Sequence, residues 1–327
     1  HTHRYNPFDF ISPEPAQAPI YCSVLAFQII PDNPNNKDPY WEGRGRDYLW
    51  AFATLIAVRM PPNLRNMESL AEAITLPLDK KPDSDLCQIL SAMRQLGTLE
   101  QLPDLVAAAN TYENALITSA KTLESVLDTI RRYVTPFTRS PSFMRAMSTS
   151  DWTPQQLRRR PGTTLYICLS PTELKTYASI IRLLLAQHSR DLQAYAAIPK
   201  EPPITFFLDE MPQLGNFESI LEVQDVGRGA GLRLWMFAQT LGQLSAAFGR
   251  DRYLGVVDAC RVRAFLQPED EASKLISPAL GEIRNLFNGE KRPLATPDEL
   301  MGRAFHDKTI VTTRGDLPMN LNKKYAW

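Results

Sequence analysis

The second half of the chain alternates short apolar runs with helix-length segments, and this alternation limits the possible folds more than any other feature. The runs that predict strands are TTLYICLSP (163–171), PITFFL (203–208), LRLWMFA (232–238) and ACRVRAFLQ (259–267). The segments between them have helical periodicity. Strands separated by helices are joined by right-handed crossovers and form a parallel sheet. The sequence therefore predicts an α/β fold whose ligands bind at the carboxyl ends of the strands.

A helical block precedes these strands. Within it, Asn66 is typical of a helix N-cap, and Gly97 is typical of the glycine that follows a helix. Apolar residues at three- and four-residue steps over 102–134 predict one long amphipathic helix of about 30 residues. The first residues of the chain differ again, because they contain a β-like run, IYCSVLAFQII (20–30).

These patterns divide the chain into three segments. Residues 1–31 and 159–327 are predicted to form two parts of one α/β domain. Residues 32–158 are predicted to form an all-α domain inserted between them. Strand and helix patterns on both sides of a purely helical block are the reason for this division.

The composition excludes several classes of protein. The 327 residues contain 36 lysines and arginines and 36 acids. This balance does not predict a uniformly basic surface, so any contact with a polyanion must be local. The apolar run from Tyr48 to Val58 is about half of the ~20 residues that a bilayer requires. The four cysteines show no metal-ligand spacing and favour a reduced compartment. Cys168 and Cys260 lie in apolar runs and are predicted to be buried.

Two acids, Asp209 and Glu210, directly follow the strand-like run 203–208. At the edge of a parallel sheet, an aspartate can hold Mg²⁺ through its water shell and a glutamate can orient an attacking water, as nucleotide hydrolysis requires. Gln239 ends the next strand and could sense the γ-phosphate at the same edge. The alternative is that the two acids only begin the following helix, where negative charge is favourable.

Arg228 lies in the segment VGRGAG (226–231), between the helix that follows Asp209 and the next strand. Such a helix ends at the amino edge of the sheet, so Arg228 cannot serve the site formed by its own Asp209. It could serve the site of a neighbouring subunit in a ring, where an arginine stabilises transition-state charge. A cationic residue and glycines that simply end a helix would give the same pattern.

Charge is unevenly distributed within the helical block. Between residues 121 and 160 the bases outnumber the acids, and they include Arg131, Arg132, Arg158, Arg159 and Arg160. These arginines could contact DNA or an acidic protein partner. A solvated helix face followed by a linker is the alternative interpretation.

The segment FFLDEMPQLGNFESILEVQDVGRGAGLRLWMFAQTLGQLSAAFG resembles the TraG/TraD-like coupling proteins of type IV secretion systems. RYNPFDFI, LYICLSPTEL, SPALG and RPLATPDEL also resemble family segments in family order, so the resemblance covers nearly the whole chain. It implies a RecA-like P-loop NTPase core with a mostly parallel sheet and an inserted all-α domain that helps to receive cargo. ATP and Mg²⁺ are the implied cofactors.

The same resemblance assigns roles and partners. It implies that Asp209 binds Mg²⁺, Glu210 directs water, Gln239 senses nucleotide and Arg228 acts in trans in a homo-hexamer. It also implies a place at the cytoplasmic face of a bacterial inner membrane, where the protein passes relaxase–DNA complexes or effector proteins to components of the secretion channel.

One departure from the family pattern is plain. The phosphate-binding loop G-x-x-x-x-G-K-[ST] occurs nowhere in the 327 residues. We expect that this loop and the membrane anchor of the family precede residue 1, so that the chain alone binds ATP weakly or not at all. The alternatives are a non-catalytic adaptor that docks cargo through 32–158, and a DNA translocase of the septal-partition kind.

Overall fold

The computed structural model describes residues 3–32, 38–160, 162–194, 202–284 and 289–324. The chain forms two compact units. The first comprises His1–Phe206 and Asn216–Arg233, and the second comprises Phe207–Gly215 and Leu234–Trp327. None of the helices in the described ranges is both long enough and apolar enough to cross a bilayer. The three-segment division predicted from the sequence differs from these two units and stays a prediction.

Helices make up most of the first unit. They are α1 (Ala18–Ile29), α2 (Tyr40–Arg59), α3 (Met67–Thr75), α4 (Asp85–Leu99), α5 (Pro103–Thr118), α6 (Ala120–Thr138), α7 (Pro141–Ala146), α8 (Pro154–Arg159), α9 (Pro171–Ala194) and α10 (Glu218–Val226). Helix α2 packs against α1, α3, α4, α5 and α6 and therefore lies at the centre of the helical block. Phe52, Tyr112 and Phe137 are the largest side chains fully buried there.

Several predictions for the helical block are confirmed. Asn66 caps α3, and its side-chain oxygen accepts a hydrogen bond of 2.9 Å from the Ser69 backbone N–H. The residues of 102–134 that were predicted to share one apolar face are all buried: Leu105, Ala109, Tyr112, Leu116, Leu123, Leu127 and Ile130. The prediction of a single long helix is wrong, because the backbone turns at Ser119 (φ −146°, ψ 48°) and separates α5 from α6.

The role predicted for Gly97 is also wrong. Gly97 lies inside α4, which continues to Leu99. A Cβ at this position would lie 2.6 Å from Cγ2 of Val106 and 2.9 Å from the Leu102 carbonyl oxygen. The glycine therefore allows α5 to pack closely against α4, and it does not end the helix.

The β-like run at 20–30 is helical, which corrects the sequence interpretation. It forms α1, which packs against α2 on one side and α9 on another. Cys22, Leu25 and Ile29 are fully buried, and the exposed face of the helix also carries apolar side chains, Ile20 and Phe27. Because no polar stripe remains, the run has no visible helical period and cannot be distinguished from a buried strand by pattern alone.

The predicted strand at 163–171 is wrong as well. Residues 163–170 form neither helix nor strand, and α9 begins at Pro171. Tyr166 is 80% exposed, and Cys168, predicted to be buried, is exposed. None of the described strands pairs with this segment, and an extended backbone without a neighbouring strand leaves its polar groups to water. Cys260 is partly buried.

Strands β1 (Ile204–Leu208) and β2 (Leu232–Met236) form the sheet that carries the predicted site. The Ile204 N–H donates to the Gly231 carbonyl (3.0 Å), and the Phe237 N–H donates to the Leu208 carbonyl (3.0 Å). Both strands therefore run in the same direction, with α10 in the connection between them. This confirms the predicted βαβ unit.

The second unit is a separate α/β arrangement. Its helices are α11 (Leu241–Phe248), α12 (Arg250–Ala259), α13 (Asp270–Ala279) and α14 (Pro297–Met301). Its strands are β3 (Val262–Leu266), β4 (Glu282–Arg284), β5 (Lys291–Pro293), β6 (Lys308–Thr313) and β7 (Met319–Asn322). Strand β3 was predicted to join a parallel sheet, but it pairs antiparallel with β6, and β6 pairs antiparallel with β7. A small core of Ile276, Leu300 and Ile310 lies in this unit.

Candidate active site

The candidate site lies where β1 and β2 end. Beyond the last residue of β1, the Met211 N–H donates to the Phe237 carbonyl (3.1 Å), which continues the pairing past Asp209 and Glu210. These two acids therefore lie directly beside the residues that follow β2. The sheet brings the ends of both strands to one place, as parallel strands do.

The backbone of Glu210 has a left-handed conformation, with φ 51° and ψ 37°. This region is uncommon for a residue with a side chain and is frequently found at functional sites. The turn redirects the chain into a short 3-10 helix, Met211–Leu214, whose first and last side chains are buried. Asp209 is exposed and Glu210 is partly exposed, so neither carboxylate points into a packed interior.

Both oxygens of the Glu210 carboxylate accept hydrogen bonds. The Gln239 side-chain amide donates to Oε1 over 2.5 Å, and the Gln213 amide donates to Oε2 over 3.2 Å. The sequence placed Gln239 at the same edge as the acids, and the structure brings it into direct contact with Glu210. Two amide donors fix the orientation of the carboxylate without neutralising its charge.

Gln239 is itself held by the start of α11. Its backbone N–H donates to Oε1 of Gln243 over 3.1 Å. The backbone N–H of Gln243 in turn donates to Oγ1 of Thr240, which caps the helix. The sequence interpretation missed Gln213 and Gln243. A usable signal was present, because each follows Glu210 or Gln239 by about one helical turn.

The donor set fits a hydrated Mg²⁺. This ion keeps several waters and usually takes only one or two protein carboxylates together with phosphate oxygens. Asp209 offers an exposed carboxylate beside Glu210. No group of three or more His, Cys, Asp or Glu side chains among the described residues could hold a metal by itself. The exposed Asp209 carboxylate could contact the waters of such an ion.

Arg228 belongs to the first unit and not to the cluster around Glu210. It lies in the 3-10 turn Gly227–Ala230, which precedes β2, and it is exposed. The Gly231 N–H donates to the Arg228 carbonyl over 3.1 Å, and Gly231 has a positive φ of 69°. Its action on a neighbouring subunit stays a prediction.

The arginines that were predicted to contact cargo differ in their surroundings. Arg132, Arg159 and Arg160 are exposed, and Arg131 pairs with Asp128 over 3.0 Å. Arg158 is only 7% exposed and donates to the Leu192 carbonyl (3.2 Å) and the Ala230 carbonyl. Arg158 therefore supports the interior of the first unit, and its predicted place on a contact surface is corrected.

Comparison with known proteins gives a consistent result. The sequence model of the family "Type IV secretory system Conjugative DNA transfer" matches residues 1–285. Protein VirD4 of Rhizobium rhizogenes is 29% identical over 203 residues, which are 56% of this chain and 30% of that protein. Conjugal transfer protein TraG of Escherichia coli is 22% identical over 299 residues, 80% of this chain and 46% of that protein. The chain thus spans less than half the length of these relatives.

Solved structures show the same fold. The unbound conjugative coupling protein TrwB aligns with a TM-score of 0.71 and 16% identity, over 99% of this chain and 71% of that chain. TrwB in complex with the ATP analogue ADPNP aligns with a TM-score of 0.74 and 16% identity, over 99% and 72%. This likeness confirms the predicted RecA-like core with its all-α domain.

The family model covers most of the chain, and the resemblance to coupling proteins that the sequence motifs indicated is confirmed. The chain belongs to the type IV secretory system conjugative DNA transfer family.

Proposed function

We propose that this chain is the nucleotide-hydrolysing part of a type IV coupling protein, a motor or gate that recruits relaxase–DNA complexes or effector proteins to the secretion channel. The observation that carries the proposal is the contact between Glu210 and Gln239 at the ends of two parallel strands, beside the exposed Asp209. A structure of TrwB with ADP and Mg²⁺ and another with ADPNP support nucleotide as the ligand class.

Each residue has a distinct chemical task in this proposal. The Glu210 carboxylate, oriented by Gln239 and Gln213, accepts a hydrogen bond from the attacking water and receives its proton. Gln239 is a neutral donor that links Glu210 to the start of α11. A shift of the Gln239 side chain would therefore move the Glu210 carboxylate, and a shift of Glu210 would move Gln239. Asp209 would hold Mg²⁺ through its waters. Bound with ATP, the ion would neutralise charge on the phosphate oxygens.

Arg228 completes the proposal from a second copy of the chain. It is exposed in a glycine-rich turn, where it can reach a neighbouring molecule. A ring of six copies would place one such arginine at each site and stabilise transition-state charge in trans. The proposed location is the cytoplasmic face of a bacterial inner membrane.

The proposal requires a phosphate-binding loop from polypeptide outside these 327 residues, because no G-x-x-x-x-G-K-[ST] segment occurs within them. It also assigns residues 1–31 and 159–327 to the nucleotide-binding domain, and 32–158 to the all-α domain. The residues proposed to contact cargo are Arg131 and the exposed Arg132 of the all-α domain, and the exposed Arg159 and Arg160 that directly follow it.

The deciding experiment is ATP hydrolysis by the protein that carries this chain together with a phosphate-binding loop. Glu210→Gln should abolish turnover and leave ATP binding unchanged, because the amide keeps the shape of the side chain but cannot accept the proton. Glu271→Gln, a substitution of an exposed acid on α13, is the matched control. Retained hydrolysis in Glu210→Gln would remove Glu210 from the mechanism.

A separate experiment tests the cargo surface. Reversing the charge of Arg159 and Arg160 together should weaken cargo capture while hydrolysis continues, because both side chains are exposed and distant in sequence from Glu210. Unchanged capture would place the cargo contact elsewhere. Capture by residues 32–158 that is independent of ATP and persists in Glu210→Gln would favour a non-catalytic adaptor.

A further inference from the structure

Three aromatic side chains form an exposed cluster on one face of the β1–β2 sheet. Phe207 on β1 is 64% exposed, and Trp235 on β2 and Phe237 directly after it are 56% and 44% exposed. The ring centres of Phe207 and Trp235 lie 5.6 Å apart, and those of Trp235 and Phe237 lie 6.3 Å apart. We call these three side chains the aromatic face. The proposed function has so far given none of them a role.

The composition of β1 is that of a strand buried on both sides. Successive side chains of a strand point to opposite faces of the sheet. Phe206 and Leu208, the neighbours of Phe207 in β1, are buried. Strands that are apolar on both faces are typical of a parallel sheet that is covered on both. The aromatic face therefore has the character of a buried surface, but the described residues leave it largely open.

The sheet itself also has room for more strands. Among the described strands, β1 and β2 pair with each other and with no third strand. Each of the two thus has one edge without a described neighbour. A sheet of two strands is marginally stable by itself, and an unpaired edge accepts a further strand.

The acids that follow β1 indicate which polypeptide fits this sheet. The proposed function requires a phosphate-binding loop beside Asp209 and Glu210, and such a loop joins a strand to the helix that follows it. To bring the loop to the carboxyl edge, its strand must run parallel to β1 and β2, and its helix must run back along one face of the sheet. The side of Phe206 and Leu208 is already covered, so the aromatic face is the one open to this helix.

The fold of TrwB is large enough to include such a piece. The alignment with unbound TrwB covers 99% of this chain but only 71% of TrwB. More than a quarter of TrwB therefore has no counterpart in these 327 residues. A piece of that size has room for a strand, a loop and a helix.

We propose that the aromatic face docks the polypeptide that carries the phosphate-binding loop, with the helix after that loop packed on Phe207, Trp235 and Phe237. Burial of three aromatic rings would hold the helix on the sheet and the loop beside Glu210. This proposal rests on the proposed function, because that function is the reason why the loop is required. It gives the three rings a task in assembling the site, and no part in the chemistry.

The test compares the 327-residue chain with the protein that carries this chain together with a phosphate-binding loop. Hydroxyl radicals label exposed aromatic side chains, and mass spectrometry measures the labelling of each residue. We expect labelling of Phe207, Trp235 and Phe237 to fall at least about fivefold in the longer protein, because close packing excludes water. Tyr40, an exposed aromatic residue on α2, is the internal reference and should be labelled equally in both.

A substitution provides a second measurement. Trp235→Thr removes the ring and keeps a β-branched side chain that suits a strand. In the 327-residue chain it should change the melting temperature by no more than about 2 °C, because the ring is over half exposed. In the longer protein it should lower the melting temperature by about 5 °C or more, as loss of a buried aromatic side chain does. Ile117→Thr, at an exposed position of α5, is the control and should have the same small effect in both proteins.

The outcomes separate this proposal from the proposed function, since neither measurement depends on hydrolysis. A longer protein that hydrolyses ATP but leaves the aromatic face fully labelled would overturn the docking proposal alone. Protection of the face in a longer protein that does not hydrolyse ATP would support docking and count against the proposed function. Labelling of the 327-residue chain that falls as its concentration rises would assign the face to a second copy and overturn the proposal, as would equal effects of Trp235→Thr in the two proteins.

Discussion

The side-chain amide of Gln239 lies 2.5 Å from the carboxylate of Glu210 and donates a hydrogen bond to it. These residues are 29 positions apart in the chain and meet because β1 and β2 are parallel neighbours. The Gln213 amide donates to the other oxygen of Glu210, and the Gln243 side chain accepts from the backbone N–H of Gln239. The orientation of Glu210 thus depends on hydrogen bonds and not on burial.

Removing the Gln239 amide should disturb catalysis without unfolding the site. We expect Gln239→Ala to lower kcat for ATP by about tenfold or more, with a small change in KM, because the general base loses the donor that orients it. The measurement is steady-state hydrolysis by the protein that carries this chain and a phosphate-binding loop. Gln17→Ala, a change of an exposed glutamine, is the control. An unchanged kcat in Gln239→Ala would show that the contact is not used in turnover.

Arg228 gives a prediction about subunit cooperation. We expect Arg228→Ala to lower kcat by about 10³-fold if the guanidinium stabilises transition-state charge. Mixing this variant with subunits that lack the phosphate-loop lysine should restore part of the activity, because some interfaces then combine an intact site with an intact arginine. Arg233→Ala, an exposed arginine on β2, is the control. Mixed rings that stay inactive would favour the helix-ending role of Arg228.

Arg158 and Arg159 are adjacent in sequence, and the structure predicts opposite consequences for their loss. Arg158→Met removes hydrogen bonds to the buried Leu192 and Ala230 carbonyls and should lower the free energy of unfolding by about 2 kcal/mol. Arg159→Met changes an exposed side chain and should stay within about 0.5 kcal/mol. Urea unfolding of both variants measures the difference. Equal values would contradict the buried role of Arg158.

Substitutions of Gly97 and Gly43 by alanine give a second matched comparison. Gly97→Ala places a methyl group against Val106 and the Leu102 carbonyl, and it should destabilise the helical block by about 1–3 kcal/mol. Gly43 lies in α2, and a methyl group on its Cα would meet nothing within 4 Å apart from the neighbouring residues and the backbone of the helix itself. Gly43→Ala should therefore stabilise the chain by up to about 1 kcal/mol through helix propensity. Thermal unfolding distinguishes the two signs. A stabilising Gly97→Ala would show that α4 and α5 can separate at no cost.

The sequence predicted the parallel pair β1 and β2 and the proximity of Gln239 to the acids. Polar residues that directly follow an apolar strand lie at the carboxyl edge of a parallel sheet, so those of neighbouring strands meet there. It failed for α1 and for 163–171, where the deciding information is not local. The exposed face of α1 carries the apolar side chains of Ile20 and Phe27, so its pattern lacks the polar stripe that identifies a helix. Residues 163–170 have the composition of a strand but pair with none of the described strands.

The details of the site were also beyond pattern analysis. The left-handed backbone of Glu210 is set by the turn into the 3-10 helix, and the dipeptide Asp-Glu does not indicate it. The burial of Arg158 could not be predicted either, since three successive arginines at 158–160 indicate a solvated segment. Only the position of α8 beside α9 brings the guanidinium to the Leu192 carbonyl.

His188 gives a prediction about pH. It is 1% exposed among Tyr5, Phe10 and Trp152, and its Nδ1 lies 2.6 Å from the Leu184 carbonyl. Burial lowers the pKa of His188 from 6.5 to about 4, which the hydrogen bond to Leu184 opposes. Between these two values the unfolded chain binds the proton and the folded chain does not, so stability is lost as the pH falls from 6.5 towards 4. The free energy of unfolding is expected to fall by about 2 kcal/mol from pH 7 to pH 5, measured by urea unfolding.

His188→Phe should remove this part of the pH dependence, and His306→Gln, which changes an exposed histidine, should retain it. A pH dependence that is the same in His188→Phe and in the unsubstituted chain would show that His188 is not buried in its neutral form.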